Sequence, residues 1–288
     1  NHLTLSSSDT LIDALYYRAE HNGELEAYRF ISAPEDHQSV TYWQLLQDAE
    51  AIARRLELQA DPGDRAVLMY TSGLDFIRAL YGCLLAGIIA VPAYPPKQHR
   101  GGERVVNIVR DCSPRLVLCH ESALHAVAEL CGSLENEFRI VATNRLEYSP
   151  STQFFSSSQG TTAIVQYTSG STSLPKGVSL THANIMSNVS ALRRAFCFDQ
   201  NSVFFSWLPM FHDMCLVGSI MTPLVSGVRS IFIAPSSFIR NPLNWLSNVS
   251  AYRVTHTGGP NFAFDLCVNR IKEDQLAHLD LSSLKNLY

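Results

Sequence analysis

The chain has 288 residues, 46% of them hydrophobic and 17% charged, with a formal net charge of −4, the profile of a globular protein with material for one or two cores. Lysine and arginine are scattered and form no run, so the basic footprint of a nucleic-acid binder is absent. The longest apolar run, Leu80 to Val91, contains two glycines and stops at Pro92, short of the roughly 20 residues that a membrane-spanning helix needs. The opening Asn1-His2-Leu3-Thr4 lacks the basic and apolar regions of a signal peptide, so the expected location is cytoplasmic. The seven cysteines are odd in number and form no C-x-x-C pair; they read as reduced core thiols. The ten histidines show no metal-ligand spacing, and no metal-binding residues are assigned.

Strand-like and helix-like segments alternate along the chain, which predicts an α/β protein with largely parallel sheets. A first helix is expected from Asp9 as N-cap to about His21, and a second from Thr41, paired with Gln44 as a capping box, to about Gln59. Strands over 66–70, 88–93, 115–119 and 138–141 then take turns with helices from Gly73, Glu103 and Ser122. Tyr148 to Gly160 is Ser-rich and aperiodic, which marks a boundary. The expected division is a first α/β subdomain over 1–147, a linker over 148–162, and the start of a second subdomain over 163–288. That second part alternates again, with strands at 163–165, 203–205, 230–233 and 254–255 and helices from Thr181, Asp213, Pro242 and Pro260. The chain stops at Leu287-Tyr288, where a further strand is expected.

Between the strand at Ala163-Ile164-Val165 and a second strand-like run at Val178-Ser179-Leu180 lies Thr168-Ser169-Gly170-Ser171-Thr172-Ser173-Leu174-Pro175-Lys176-Gly177. Small residues let backbone N–H groups turn toward an anion, hydroxyls add donors, and Lys176 supplies a compact positive charge. Ser/Thr/Gly clusters are often plain turns, but a plain turn does not need a terminal Pro-Lys-Gly. A Walker A loop fails on spacing, because it requires glycine before the lysine and a hydroxyl after it, where this chain has Pro175 and Gly177. Tyr70-Thr71-Ser72-Gly73 echoes Tyr167-Thr168-Ser169-Gly170 without the extension or the lysine, and reads as a strand-to-helix turn.

Two further segments stand at strand-to-helix junctions, where α/β sheets place ligand-binding residues. His212 follows Trp207-Leu208-Pro209 and precedes a helix expected to be capped by Asp213. Gly258-Gly259-Pro260-Asn261-Phe262 combines glycines that permit close backbone approach with a proline suited to a helix start. Both have a structural reading as well: a surface or core histidine, and a tight turn ahead of a core helix.

The loop over 168–177 resembles the signature loop of the adenylate-forming superfamily, with Ser173 where glycine is usual. Ala90-Val91-Pro92-Ala93-Tyr94-Pro95-Pro96, Ser206-Trp207-Leu208-Pro209-Met210-Phe211-His212-Asp213-Met214 and Gly258 to Cys267 resemble the fatty acyl-AMP ligases within it. The resemblance runs through nearly the whole chain and covers the first half of such an enzyme. It implies a layered αβαβα N-terminal domain of two α/β subdomains, truncated before the C-terminal domain. It also implies ATP-dependent activation of a fatty acid to acyl-AMP, with Mg²⁺, and transfer to the phosphopantetheine thiol of an acyl carrier protein or of a carrier domain in a polyketide or peptide synthase. In that picture Thr168, Ser169, Gly170, Ser171, Thr172 and Lys176 hold phosphates, Lys176 and His212 serve catalysis, and His212 with Gly258, Gly259, Pro260, Asn261 and Phe262 meets the acyl substrate. Cys215 stands where the family usually has glycine. An acyl-CoA synthetase and a non-catalytic acyl- or nucleotide-binding domain remain alternatives, and the fragment alone is expected to be inactive.

Overall fold

The computed structural model describes residues 9–33, 35–94, 102–132, 134, 138–144, 154–168 and 175–288. Two six-stranded sheets organise them. The first has the order β6-β5-β3-β4-β7-β8, from β3 (Arg65–Leu68), β4 (Ile89–Pro92), β5 (Leu116–Cys119), β6 (Arg139–Ala142), β7 (Thr162–Thr168) and β8 (Lys176–Thr181). The second has the order β12-β11-β9-β10-β1-β2, from β1 (Glu26–Ala33), β2 (Asp36–Thr41), β9 (Val203–Ser206), β10 (Arg229–Ile233), β11 (His256–Thr257) and β12 (Asn286–Leu287). Pairing is parallel except for β7 with β8 and β1 with β2, so each sheet carries one antiparallel edge strand.

In the first sheet the two-residue period divides side chains between two cores. Ala66, Leu68, Ala90, Leu116 and Leu118 enter one, while Val67, Met69, Val91, Val117 and Cys119 enter the other, as expected when helices cover both faces. The second core is closed by α4 (Gly102–Cys112) and α5 (Leu124–Cys131) through Val105, Ile108, Val109 and Val127. Between the two sheets lie α1 (Leu11–Asn22), α2 (Tyr42–Glu57), α3 (Leu74–Leu85), α6 (His182–Phe196) and α8 (Thr222–Ser226).

Sheet pairing crosses the boundary expected at 148–162. β7 and β8 complete the first sheet, with Ala90 opposite Ile164, and β1 and β2 complete the second, with Tyr28 opposite Ser230. Hydrophobic period identifies a strand but not its partner, so the alternation of elements could not show this exchange. The strands β1 and β2 are also additions to the predicted elements, as is α9 (Pro235–Arg240) before α10 (Leu243–Ala251).

The capping box at Thr41 and Gln44 is present, at 3.2 and 3.0 Å. At the first helix the cap is Thr10 rather than Asp9: Thr10 Oγ1 accepts from Asp13 N at 3.1 Å and Asp13 Oδ2 accepts from Thr10 N at 2.7 Å. Leu80 to Val91 is a buried helix end and strand, and among the described residues no helix is long and apolar enough to cross a membrane.

Candidate active site

The end of β4, α4, β7 and the turn after β9 meet in one depression. β7 and β8 form a hairpin in which Thr168 stands opposite Lys176 and Tyr167 opposite Gly177. Gly177 is needed for close approach, since a Cβ there would lie 3.0 Å from the Tyr167 ring. Tyr167 in turn donates to the Asp111 carboxylate on α4, and burial, with that bond second, pushes its phenol well above the usual range. The hairpin is thereby fixed to the helix beneath it. Lys176 is the first residue of β8 and its side chain is exposed. Ser169, Gly170, Ser171 and Thr172 lie outside the described residues, and of Thr168 only the backbone is described.

His212 comes from the other sheet, after β9. The sequence suggested Asp213 as the helix cap, but His212 itself is the N-cap of the short α7 (Asp213–Cys215), its Nδ1 accepting from Met214 N at 3.3 Å. Asp213 Oδ1 lies 2.7 Å from the same nitrogen. With Nδ1 engaged in this way, Nε2 is the atom available to a ligand. The side chain is 56% exposed.

Behind His212, α7 runs into a π-helical turn, Leu216–Met221, before α8. Such turns free backbone carbonyls and are frequent at functional sites. Here the buried carbonyls are met by side chains, each at 2.8 Å: Thr222 Oγ1 on Val217, Ser230 Oγ on Ser219 and the Tyr28 hydroxyl on Ile220. Cys215 is fully buried, with its thiol pushed up to about 12 by desolvation; it packs in the core and narrows no pocket that His212 lines.

Two depressions meet at Asp213. One, about 100 Å³, is polar and lies against His212, with Tyr94, Arg104, Gln166 and Tyr167 in its wall. The Arg104 guanidinium sits over the Tyr94 ring at 5.2 Å. The other, about 540 Å³, is an apolar groove between α6 and the π turn, walled by Ile185, Leu192, Phe196, Met214, Val217 and Tyr288. Asp213 lines both. At the far end the rings of Phe196 and Tyr288 stack at 4.9 Å. The Phe196 carbonyl is held by His256 Nε2 and Asn286 Nδ2, each at 2.8 Å.

The glycines of Gly258-Gly259-Pro260-Asn261-Phe262 have a packing explanation. A Cβ on Gly258 would come within 2.3 Å of the Tyr288 carbonyl, and one on Gly259 within 2.8 Å of the Trp207 ring. Gly258 thus backs the tyrosine that walls the groove. Pro260 and Asn261 are exposed, with Pro260 the N-cap of α11 (Asn261–Arg270), and Phe262 is 51% exposed with its edge toward Trp207. None of these five lines either depression. The earlier copy, Tyr70 to Gly73, is the expected turn into α3, and the Gly73 N–H is directed at Met210 Sδ at 3.4 Å.

Tyr94, Arg104 and Gln166 were not singled out as site residues from the sequence. They stand at positions 94, 104 and 166, with no spacing that joins them to residue 212: Tyr94 follows β4, Arg104 lies on α4 and Gln166 on β7, and only the tertiary fold brings them together.

The relatives of this chain match it over nearly its whole length. It is 38% identical over 283 residues to the medium-chain-fatty-acid–[acyl-carrier-protein] ligase JamA of Moorena producens (strain JHB), covering 95% of this chain and 48% of that protein. It is 33% identical over 279 residues to the long-chain-fatty-acid–AMP ligase FadD26 of Mycobacterium bovis, covering 93% of this chain and 48% of that protein. A fatty acyl-adenylate ligase from L. pneumophila, solved in complex with acyl adenylate and pyrophosphate, is similar with a TM-score of 0.88 at 37% identity, over 96% of this chain and 49% of that one. The chain therefore spans about half the length of these relatives. Residues 15–288 match the family described as AMP-binding enzyme, and with the two-sheet fold, the lysine-ended hairpin and the His212 turn in place, the chain belongs to that family.

Proposed function

We propose that the protein carrying these residues activates a fatty acid as its acyl-AMP and passes the acyl group to the phosphopantetheine thiol of an acyl carrier protein. A carboxylate oxygen attacks the α-phosphorus of ATP and pyrophosphate leaves; the thiol then attacks the acyl carbonyl and AMP leaves. The observation that carries this reading is the apolar groove that opens beside His212 and shares Asp213 with the polar pocket. It suits a ligand with a charged head and a long alkyl tail. Each methylene buried there contributes about 0.8 kcal/mol, so the groove supplies affinity and the polar side supplies orientation.

Both reactants of the first step are anions, so positioning and charge stabilisation are the main requirements. Lys176 would stabilise charge on the departing pyrophosphate, and Nε2 of His212 would orient the carboxylate. A carboxylate nucleophile has no proton to lose, so His212 has no base to play. Enzymes of this kind use ATP. Mg²⁺ is held typically by one or two carboxylates together with phosphate oxygens. Among the described residues no group of three His, Cys, Asp or Glu is placed to hold a metal, so they offer it no cage of their own. All seven cysteines are free thiols, in keeping with a cytoplasmic location.

The test is fatty-acid-dependent ATP–pyrophosphate exchange by the complete enzyme, followed by transfer with carrier protein or CoA as competing acceptors. Absence of exchange would sink the activation step; a preference for CoA would replace the carrier protein as acceptor. His212 provides a sharper probe because it both caps α7 and faces the pocket. His212→Asn retains a good capping group, whereas His212→Ala removes it. Both are expected to lower kcat about tenfold to a hundredfold, the scale of one hydrogen bond to a charged group, while only the alanine variant loses about 1 kcal/mol of stability. Wild-type kcat in the asparagine variant would make His212 a cap and nothing more.

The 288-residue chain by itself is expected to form no acyl-carrier product with ATP, Mg²⁺, fatty acid and loaded carrier protein. The relatives are about twice its length, and half a pocket does not hold two anions in line. Mass spectrometry of the carrier protein checks this, and efficient product formation would place a complete catalytic apparatus within these residues.

A further inference from the structure

The two halves of the proposed chemistry sit on different sheets. Lys176 belongs to the β7–β8 hairpin of the first sheet, and His212 follows β9 of the second. They can act on one ligand only if something fixes the hairpin relative to the His212 turn. Among the described residues one side-chain hydrogen bond spans that gap: Gln166 Nε2, on β7, donates to the Phe211 carbonyl at 2.9 Å. Gln166 is two residues before Thr168, where the phosphate hairpin turns, and Phe211 is the residue immediately before His212.

Two further observations show that this amide is placed for its donor end. Among the described residues the Gln166 Oε1 is buried and has no hydrogen-bond partner. An unmet buried acceptor is a cost that an apolar side chain of similar length would avoid, and reversing the amide would set two oxygens against each other. The far side of Phe211 is also held, its ring lying 4.4 Å from that of Tyr94. The His212 N–H donates back to the Pro209 carbonyl at 3.0 Å, so a Phe211 carbonyl held in place fixes the whole turn.

We propose that Gln166 is a positioning residue which, through the Phe211 carbonyl, sets His212 in register with β7 and β8, the strands that carry Thr168 and Lys176, so that carboxylate and phosphates are presented to each other. The proposal rests on the functional reading above for its effect on catalysis, but its geometric content does not.

The test uses the complete enzyme, with Gln166→Met and Gln166→Glu each made alone and with His212→Asn. Gln166→Met keeps the length and removes the donor, and is expected to lower kcat for fatty-acid-dependent pyrophosphate exchange about tenfold, the scale of one hydrogen bond, with KM for ATP little changed. In the His212→Asn background the same change is expected to cost less than twofold, since residues that act through one another are non-additive. Gln166→Glu places a carboxylate against a carbonyl, so its activity relative to wild type is expected to rise as the pH falls and an O–H donor returns. A purely structural role would give additive losses and no such pH profile, and either result would overturn the proposal. A second arm needs no activity: in Gln166→Met, backbone hydrogen exchange at residues 210–214 is expected to quicken, and unchanged exchange there would also overturn it. If the wild-type enzyme showed no fatty-acid-dependent exchange, the functional reading would fall while this arm still decided the role of Gln166.

Discussion

Lys176→Ala in the complete enzyme is expected to lower the rate of acyl-adenylate formation by about 10²- to 10³-fold, the range seen when one preorganised charge stabiliser is removed. The side chain is exposed at the first position of β8, opposite Thr168 across the hairpin, so nothing in the core depends on it and the melting temperature should stay within a degree or two. Lys176→Arg should recover only part of the loss. A planar guanidinium presents its donors in a different geometry from a compact ammonium. Pyrophosphate exchange at saturating ATP is the measurement. A wild-type rate in the alanine variant would reduce the hairpin to a turn.

The second large effect concerns acid stability. His182, the first residue of α6, is 1% exposed, and its Nδ1 accepts from the Leu11 N–H at 3.3 Å, joining the start of α6 to the start of α1. Desolvation, opposed in part by Asp13, lowers its pKa from 6.5 to about 4. The unfolded chain therefore takes up this proton near pH 6.5 and the folded chain only near pH 4, so between those values the unfolded state holds more protons and stability falls as the pH falls. At 1.36 kcal/mol per pH unit the loss amounts to about 3 kcal/mol, saturating below pH 4. His182→Asn, which offers an acceptor oxygen without a titrating ring, should be flatter over that window. Denaturant midpoints of the two proteins between pH 7 and 4 decide the matter, and parallel curves would remove His182 from the account.

What the sequence made legible follows from how each feature is encoded. The capping box at Thr41 and the short apolar runs that form β3 and β5 are local patterns, and they appear close to where the residues indicate, while the first helix is capped one residue later than expected, at Thr10. β2 escaped because Asp36 to Ser39 are all exposed; an edge strand with a solvated face carries no hydrophobic period, and its pairing to β1 is fixed by backbone hydrogen bonds. The strand-to-helix junction at His212 was legible, but His212 as its own helix cap was not, since imidazole is an uncommon capping group beside an aspartate. The wall formed by Tyr94, Arg104 and Gln166, and the groove closed by Phe196 and Tyr288, are products of how the helices and sheets pack, which no local pattern encodes.

Sheet order also governs how the chain can be made. β1 pairs with β10, Tyr28 opposite Ser230, so one edge of β1 must wait for about 200 further residues to leave the ribosome, roughly 10–40 s at ordinary synthesis speeds. Its other edge can be filled at once by β2, which follows it directly in the chain. That local hairpin shields half of an otherwise open strand during the interval, while the half reserved for β10 stays free to pair with whatever strand comes near. A nascent chain halted before residue 229 has β1 without its partner, and there the fold is most open to misassembly.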